Sequence, residues 1–296
     1  MYTIHMRLRI ASWNVRGMPH PADQLRLLAD QNSDILLLQD VGPSAVNAVA
    51  DSHLWLNLAD TWSFPISSQG VARRGGCLIA VKGDWVLTPT LPTLDALLSN
   101  RSLAVTATHG GVALTLLSCY APTNTGPGRK QRPAYFAALA AWLSTVPAPI
   151  VLGMDANGPR VDHPDIEQSK WWAQEEALVL GAGTPTEDVL RLWYADHPAE
   201  LKRRLRYYPN GPLADSYHRG RRGKYLRCRY DSIRVSLGIH VLDVRYLYEE
   251  AVQAGSDHAL VITDIELGRT AERPQRYSWG THKCAVDNSQ KLCGAS

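Results

Sequence analysis

Six stretches along the chain combine side chains that could together bind a metal or a phosphate and move a proton. Each closes or opens a short apolar run: Asn14 after "RLRIASW", Asp40 after "DILLLQ", Tyr120 and Asn124 in "CYAPTN", Asp155 and Asn157 in "GMDAN", Asp231 in "RYDSIRVS", and the Ser256-Asp257-His258 triplet before "ALVITDI". Carboxylates and amide oxygens are the donors a hard divalent cation takes, and magnesium needs only one or two carboxylates because it keeps several waters. An imidazole beside a carboxylate is held in one orientation and stays protonated, ready to stabilise charge. Singly, each residue also has a packing or turn role. Asp40 could cap the next segment, Asp155 and Asn157 could form an Asx-turn before Gly158, and Asp257 could be a turn residue. Tyr120 and His258 could be core side chains. Together they are poor material for packing alone, because buried carboxylate, amide and imidazole groups need partners.

The elements that must position them are readable from periodicity. "RLRIASW" alternates, "DILLLQ" and "APIVLGMD" are buried-type runs, and "GGCLIAVK" follows a glycine pair. "SLAVTATHGGVALTLLSCY" predicts a hairpin turning at Gly110-Gly111. "PADQLRLLADQ", "RPAYFAALAAWLSTV" with a proline near its start, and "TEDVLRLWYADH" with acids in its first turn have helical spacing. Strands and helices alternate, but the hairpin breaks the pattern, so the expectation is α/β layers with mixed or antiparallel sheets rather than a parallel doubly wound sheet. In such layers strand ends gather along one edge, where loops build a site. One domain is expected over residues 1–267, followed by a polar, turn-rich tail over 268–296.

In order, "SWNVRG", "LLLQD", "CYAPTN", "GMDAN", "YDSIRVS" and "SDHALV" resemble the motif set of the endonuclease/exonuclease/phosphatase superfamily, from about Arg7 to Leu267. The resemblance implies a four-layered α/β sandwich, with two sheets face to face and helices outside, and divalent-metal-dependent hydrolysis of a phosphodiester. It implies that Asp40 holds Mg²⁺ (or Mn²⁺ in its place), helped by Asn14 and Asp257. Asp155 would orient and deprotonate water, Asn157 and Tyr120 would contact the phosphate, and His258 paired with Asp231 would stabilise the phosphoryl oxygens.

The chain departs from the family pattern in places. Asp40 stands where the family usually has Glu, one methylene longer. Met154 precedes Asp155 where a glycine is usual, with Gly153 one place earlier. Arg16 stands where some abasic-site nucleases carry an acid. Tyr120 replaces the histidine of the pancreatic-DNase, sphingomyelinase and inositol-phosphatase branches, and makes the chain more similar to exonuclease III-like abasic endonucleases and retrotransposon endonucleases. "GMDANG" followed by "SKWW" resembles the pattern of non-LTR retrotransposon endonuclease domains. His109, expected at the hairpin turn in solvent, does not stand in for the missing histidine.

A net charge of +3 over 296 residues does not itself imply nucleic acid, but its distribution is uneven. From Lys202 to Arg229 the chain gathers lysines and arginines against a single acid, Asp215, with Tyr207, Tyr208, Tyr217 and Tyr225 interleaved. Such a segment could be a solvated loop or a surface that tracks a phosphate backbone with aromatics for stacking. Because it leads into Asp231, Arg221, Arg222, Lys224 and Arg227, with Asn124, are expected to contact substrate, and nucleic acid, DNA first, is the expected partner. Two other readings stand beside the nuclease: a phosphatase or phosphodiesterase acting on a small or lipid phosphoester, and a catalytically impaired module that binds nucleic acid.

Cys77, Cys119 and Cys228 lie in strand-like runs and are expected to be buried free thiols, while Cys284 and Cys293 lie in the tail. A reducing, intracellular compartment (cytoplasmic or nuclear) and a monomer are expected. No run is long and apolar enough to span a bilayer, and no basic-then-apolar leader is seen.

Overall fold

The computed structural model describes residues 6–63, 75–91, 93–94, 96–99, 101–147, 149–221 and 224–268. The expected tail, with Cys284 and Cys293, and Arg222 lie outside them. The first part of the chain forms β1 (Met6–Asn14), α1 (Pro21–Asp30), β2 (Ile35–Val41), α2 (Pro43–Asp51), β3 (Asn57–Asp60) and β4 (Gly76–Val81). There follow β5 (Val86–Pro89), α3 (Ala96–Ser99), β6 (Ser102–His109), β7 (Val112–Tyr120), α4 (Gly126–Leu143) and β8 (Ile150–Asp155). The last part holds α5 (Ala177–Leu180), β9 (Thr186–Asp188), α6 (Val189–Asp196), α7 (Pro198–Tyr207), β10 (Tyr217–Arg221), β11 (Lys224–Cys228), β12 (Asp231–Ser236), β13 (His240–Leu247), α8 (Tyr248–Gln253) and β14 (Leu260–Leu267).

Two six-stranded sheets have the orders β13-β14-β1-β2-β4-β3 and β5-β6-β7-β8-β12-β9, and β10-β11 is a separate two-stranded ribbon. Parallel pairs β1·β2 and β7·β8 sit centrally among antiparallel neighbours. One apolar cluster, with Ile10, Leu37, Leu116, Val151, Ile233 and Val261, fills the space between the sheets. A second, with Trp13, Leu28, Leu38 and Val49, lies under α1 and α2, and a third, with Phe136, Leu139, Leu152 and Met154, lies under α4. The result is helix, sheet, sheet, helix, the four-layered α/β sandwich.

Strand parity places the site. On β1, Leu8 and Ile10 face the other sheet while Ala11 and Trp13 face the helices. A period of two therefore turns Ser12 and Asn14 inward. The same count turns Gly153 and Asp155 inward on β8, Ser118 and Tyr120 on β7, and Asp231 on β12. Parallel strands end, and antiparallel β12 and β14 begin, at the same edge, so these residues meet at one mouth of the inter-sheet seam. Beneath them the Gln39 amide donates to Ser12 Oγ (3.2 Å), Ser118 Oγ (3.1 Å) and the Leu37 carbonyl (2.8 Å).

The hairpin turns at Gly110-Gly111 as expected, both residues having positive φ, which the tight two-residue turn needs. Three expectations are corrected. The helix expected from Arg132 begins at Gly126, started by the proline of its first turn, and Pro133 lies inside it. The acids expected in the first turn of a helix at Thr186 instead belong to β9, and Asp188 is the cap, accepting from the Leu190 and Arg191 amides. His109 is half-buried with its ring 5.3 Å from that of Trp85, not free in solvent. Cys77 and Cys119 are buried free thiols, and Cys228 is free but only half-buried. Among the described residues no helix is long and apolar enough to cross a membrane.

Candidate active site

Asp155, Asp231 and His258 form the centre. They are 0%, 1% and 7% exposed, and one ligand-type atom of each lies within 4.8 Å of the others. His258 Nδ1 is 3.0 Å from Asp231 Oδ2 and 3.1 Å from Oδ1. Burial alone would strip the imidazole of its proton, but the Asp231 carboxylate, and after it Asp155, more than offset this and push the histidine up to about 10. Burial pushes Asp155 up to about 6, with His258 pulling the other way and Asp231 adding to the rise. The arrangement is a cationic imidazole paired with one carboxylate and facing a second whose proton affinity is near neutrality, suited to general base work.

The surrounding backbone fixes this geometry. Trp13 Nε1 donates to the His258 carbonyl (2.9 Å), and the His258 amide donates to Ser256 Oγ (3.1 Å). Ser256 Oγ in turn donates to the Asn14 carbonyl (2.6 Å), tying β1 to the triplet. Ser216 Oγ accepts from the Tyr230 and Asp231 amides. The Tyr217 ring stacks between Tyr230 (5.4 Å) and His258 (4.8 Å), anchoring the ribbon to the imidazole. Asn14 Nδ2 donates to Asp155 Oδ2 (2.9 Å), and the Asn157 amide donates to Asp155 Oδ1 (2.9 Å). Asn157, at φ 47, also donates from its side chain to the Ala121 carbonyl (3.0 Å). The Asx-turn at Asp155 and the site are therefore the same structure.

Asp40 stands at an irregularity near the end of β2. The β2·β4 register shifts between Gln39 and Val41, and Asp40 sits at φ 50. A bulge of this kind re-aims a side chain. A Cβ on Gly75, itself at φ 70, would lie 2.2 Å from Asp40 Oδ1 and 2.8 Å from Tyr120 Cε1, so only glycine lets the carboxylate lie against Tyr120. Burial raises the Asp40 carboxyl, Asp257 raises it further, and His258 and Arg101 lower it. Neither Asp40 nor Asp257 has a hydrogen-bond or ion-pair partner for its carboxylate among the described residues. Carboxylates without protein partners among the described residues are the kind of donor a hard divalent cation takes. The oxygens and nitrogen of the Asp155-Asp231-His258 cluster are instead engaged with each other and with Asn14 and Asn157, which fits proton transfer better than metal ligation.

Burial first, then Asp155 and Asp40, push the Tyr120 phenol well above its ordinary range, so it stays a neutral donor. The Arg101 guanidinium lies 5.0 Å from the Tyr120 ring, and its Nη1 is buried with no partner among the described residues. Arg101 is a site residue that the sequence reading missed. Nothing local marks it, since the loop before β6 has no motif.

The basic segment divides. Arg229 is 5% exposed and holds Asp162 and Asp188 at 2.8 Å, so it is structural rather than a phosphate contact. Arg227 and Arg204 both pair with Asp215, and Arg204 lies 3.9 Å from the Tyr208 ring, so Arg227 clasps the ribbon to α7 rather than standing free for substrate. The ribbon carries Arg221 and Lys224 at its tip, paired across the turn. The Arg219 and Arg160 guanidinium groups lie 5.6 and 5.5 Å from the centre of the Trp172 ring. Asn124 is half-buried in the loop between β7 and α4 and is not drawn into the cluster.

No protein-family model and no curated protein matches the chain. Solved structures do. TDP2 of D. rerio, in a complex with single-stranded DNA product, is similar at 17% identity and a TM-score of 0.57, covering 88% of this chain and 98% of that one. A humanised form of the same protein with 14 mutations gives 16% identity and 0.58. The endonuclease domain of TRAS1, a telomere-specific non-LTR retrotransposon, gives 16% identity and 0.55, covering 88% of this chain and all of that one. The chain shares the fold of these solved structures, the four-layered α/β sandwich expected from its sequence.

Proposed function

We propose that the chain is a divalent-metal-dependent phosphodiester hydrolase acting on nucleic acid, a DNA endonuclease of the nicking or abasic-site type. The observation that carries this is the buried Asp231-His258-Asp155 cluster, with the Asp40 and Asp257 carboxylates at the same strand-end edge and without protein partners among the described residues. Asp40 and Asp257, with Asn14, would hold magnesium or, in its place, manganese. A cation there supplies positive charge to a phosphoryl oxygen.

The rest is the work of the chain's own residues. Asp155, oriented by Asn14 and Asn157, accepts a proton from the attacking water. His258, kept protonated by Asp231, donates a charge-assisted hydrogen bond to the phosphoryl oxygen as charge builds there. Tyr120 adds a further hydrogen bond, a group of this kind being worth on the order of 10²–10³ in rate. The DNA-processing neighbours and the basic, tyrosine-bearing ribbon leading into Asp231 support nucleic acid over a small or lipid phosphoester. The complete cluster supports an enzyme over a binding module.

The test incubates the full chain with supercoiled plasmid, an abasic-site duplex, RNA and a chromogenic phosphodiester, each with Mg²⁺. Cleavage of a DNA substrate ahead of the chromogenic ester is expected. Turnover of the small ester alone would replace this reading with the phosphodiesterase, and binding without turnover of any substrate would replace it with the binding module.

A further inference from the structure

Beside the cluster lies a cavity of about 430 Å³ with walls from three separate segments: Arg16, Pro19 and His20 after β1, Tyr248 and Val252 on α8, and Asp257 before β14. Its volume is in the range that receives a small-molecule-sized group, roughly 300–1,000 Å³. Its lining pairs a guanidinium with an aromatic face, an imidazole and apolar surface. The walls are fastened to the reacting centre. The Arg16 amide donates to Asn14 Oδ1 (2.9 Å), the Gly17 amide donates to the Asp40 carbonyl (2.7 Å), and Asp257 directly precedes His258.

The lining is also fixed in shape. Gly255 has φ +103, and a Cβ there would lie 2.4 Å from His20 Cδ2, so the imidazole packs where only glycine leaves room. The Tyr248 ring lies 4.0 Å from the ring of His218 on the ribbon. Arg16 is exposed, sits at φ 51 and makes no ion pair among the described residues. A cation held in a left-handed conformation that arginine seldom adopts points to a role outside the fold.

We infer that this cavity is a nucleotide subsite, holding the nucleotide that neighbours the scissile bond, with its phosphate on Arg16 and its base against Tyr248 and His20. A guanidinium matches a phosphate's oxygens with two donors at once, and an aromatic ring accepts any base by stacking. The inference rests on the nuclease reading above and specifies which neighbour of the cut the protein grips.

The experiment titrates the full chain in EDTA with deoxyadenosine monophosphate, inorganic phosphate and deoxyadenosine, followed by ¹H–¹⁵N NMR. The monophosphate is expected to shift amides of residues 16–20 and 248–257, and to bind about ten-fold more tightly than either fragment, the scale of one base stack. Arg16→Asn, which suits left-handed backbone, and Tyr248→Leu are each expected to weaken it about ten-fold. Equal affinity for phosphate alone, shifts elsewhere, or unchanged binding in both variants would overturn the subsite. An oligonucleotide cleavage assay run alongside separates the two readings. Cleavage without monophosphate binding removes the subsite alone, whereas binding at the cavity without cleavage of any nucleic acid removes the nuclease reading and leaves a nucleotide site with no scissile bond beside it.

Discussion

Arg132→Met should destabilise the protein and damage the site together. The guanidinium is 1% exposed, and its Nε lies 3.0 Å from Glu176 Oε1. It also donates to the Ala156 carbonyl (3.0 Å) and to the Pro122 carbonyl. Those carbonyls belong to the two loops that carry Asp155 and Asn157, and Tyr120 and Asn124. Methionine fills the volume but leaves Glu176, 0% exposed, with only the Trp172 and Ala173 amides as donors. Removing one partner of a buried ion pair costs about 3–5 kcal/mol. Burial already raises the Glu176 carboxyl above its ordinary value in spite of Arg132, so in the variant it takes up a proton rather than staying charged, and the lower end of that range is expected. Arg132→Met/Glu176→Gln removes the orphaned acid and should recover at least about 1.5 kcal/mol relative to additivity. Urea unfolding, with m unchanged, measures both. The cleavage rate of the folded variant should fall by more than its folded fraction, because both loops lose a strut. A cost below about 1 kcal/mol for Arg132→Met, or additive behaviour in the double variant, would refute this account of how the loops are held.

Gly153→Ala would place a Cβ 2.6 Å from Ser12 Oγ and 2.7 Å from Leu37 Cβ, where the two sheets approach two residues before Asp155. It should cost about 1–3 kcal/mol by overpacking, read as a lower urea midpoint. The acid limb of stability should depend on Asp162. Burial would raise its carboxyl, but Arg229 and Arg191 outweigh that and hold it down at about 2 against an ordinary 3.8. A depressed carboxyl contributes stability that is present above its unfolded value and lost as the pH falls through the folded one. The loss should therefore lie between about pH 4 and pH 2 and amount to roughly 2 kcal/mol. Asp162→Asn should flatten that limb of an acid-unfolding curve, and an unchanged curve would show the network contributes nothing there.

The alternation of "RLRIASW" and the short apolar run "APIVLGMD" are enough to expect strands, and a strand's period of two explains why Asn14 and Asp155 share the seam with Gly153. The position of that glycine, one place early by the family pattern, follows from parity, since position 153 faces Ser12 and Leu37 while Met154 packs under α4. What stayed hidden depends on distant partners. Arg229 reads as surface charge until Asp162 and Asp188, far upstream, are folded against it. The bulge at Asp40 depends on pairing with β4 across a glycine, and Arg101 becomes a site residue only when its strand lies beside Tyr120. The ribbon's sequence lacks clean alternation, because β10 and β11 form a separate two-stranded sheet, bridged at Tyr217 to His258 rather than packed as a strand of either large sheet.

The central claim is that this strand-end cluster hydrolyses a nucleic-acid phosphodiester with a divalent cation. The most direct measurement is the initial rate of cleavage of an end-labelled DNA by wild type and His258→Ala, each with Mg²⁺ and with EDTA. The account predicts cleavage by wild type that EDTA abolishes, and a loss on the order of 10²–10⁴ in His258→Ala. Cleavage that survives either EDTA or the substitution at the wild-type rate would contradict it.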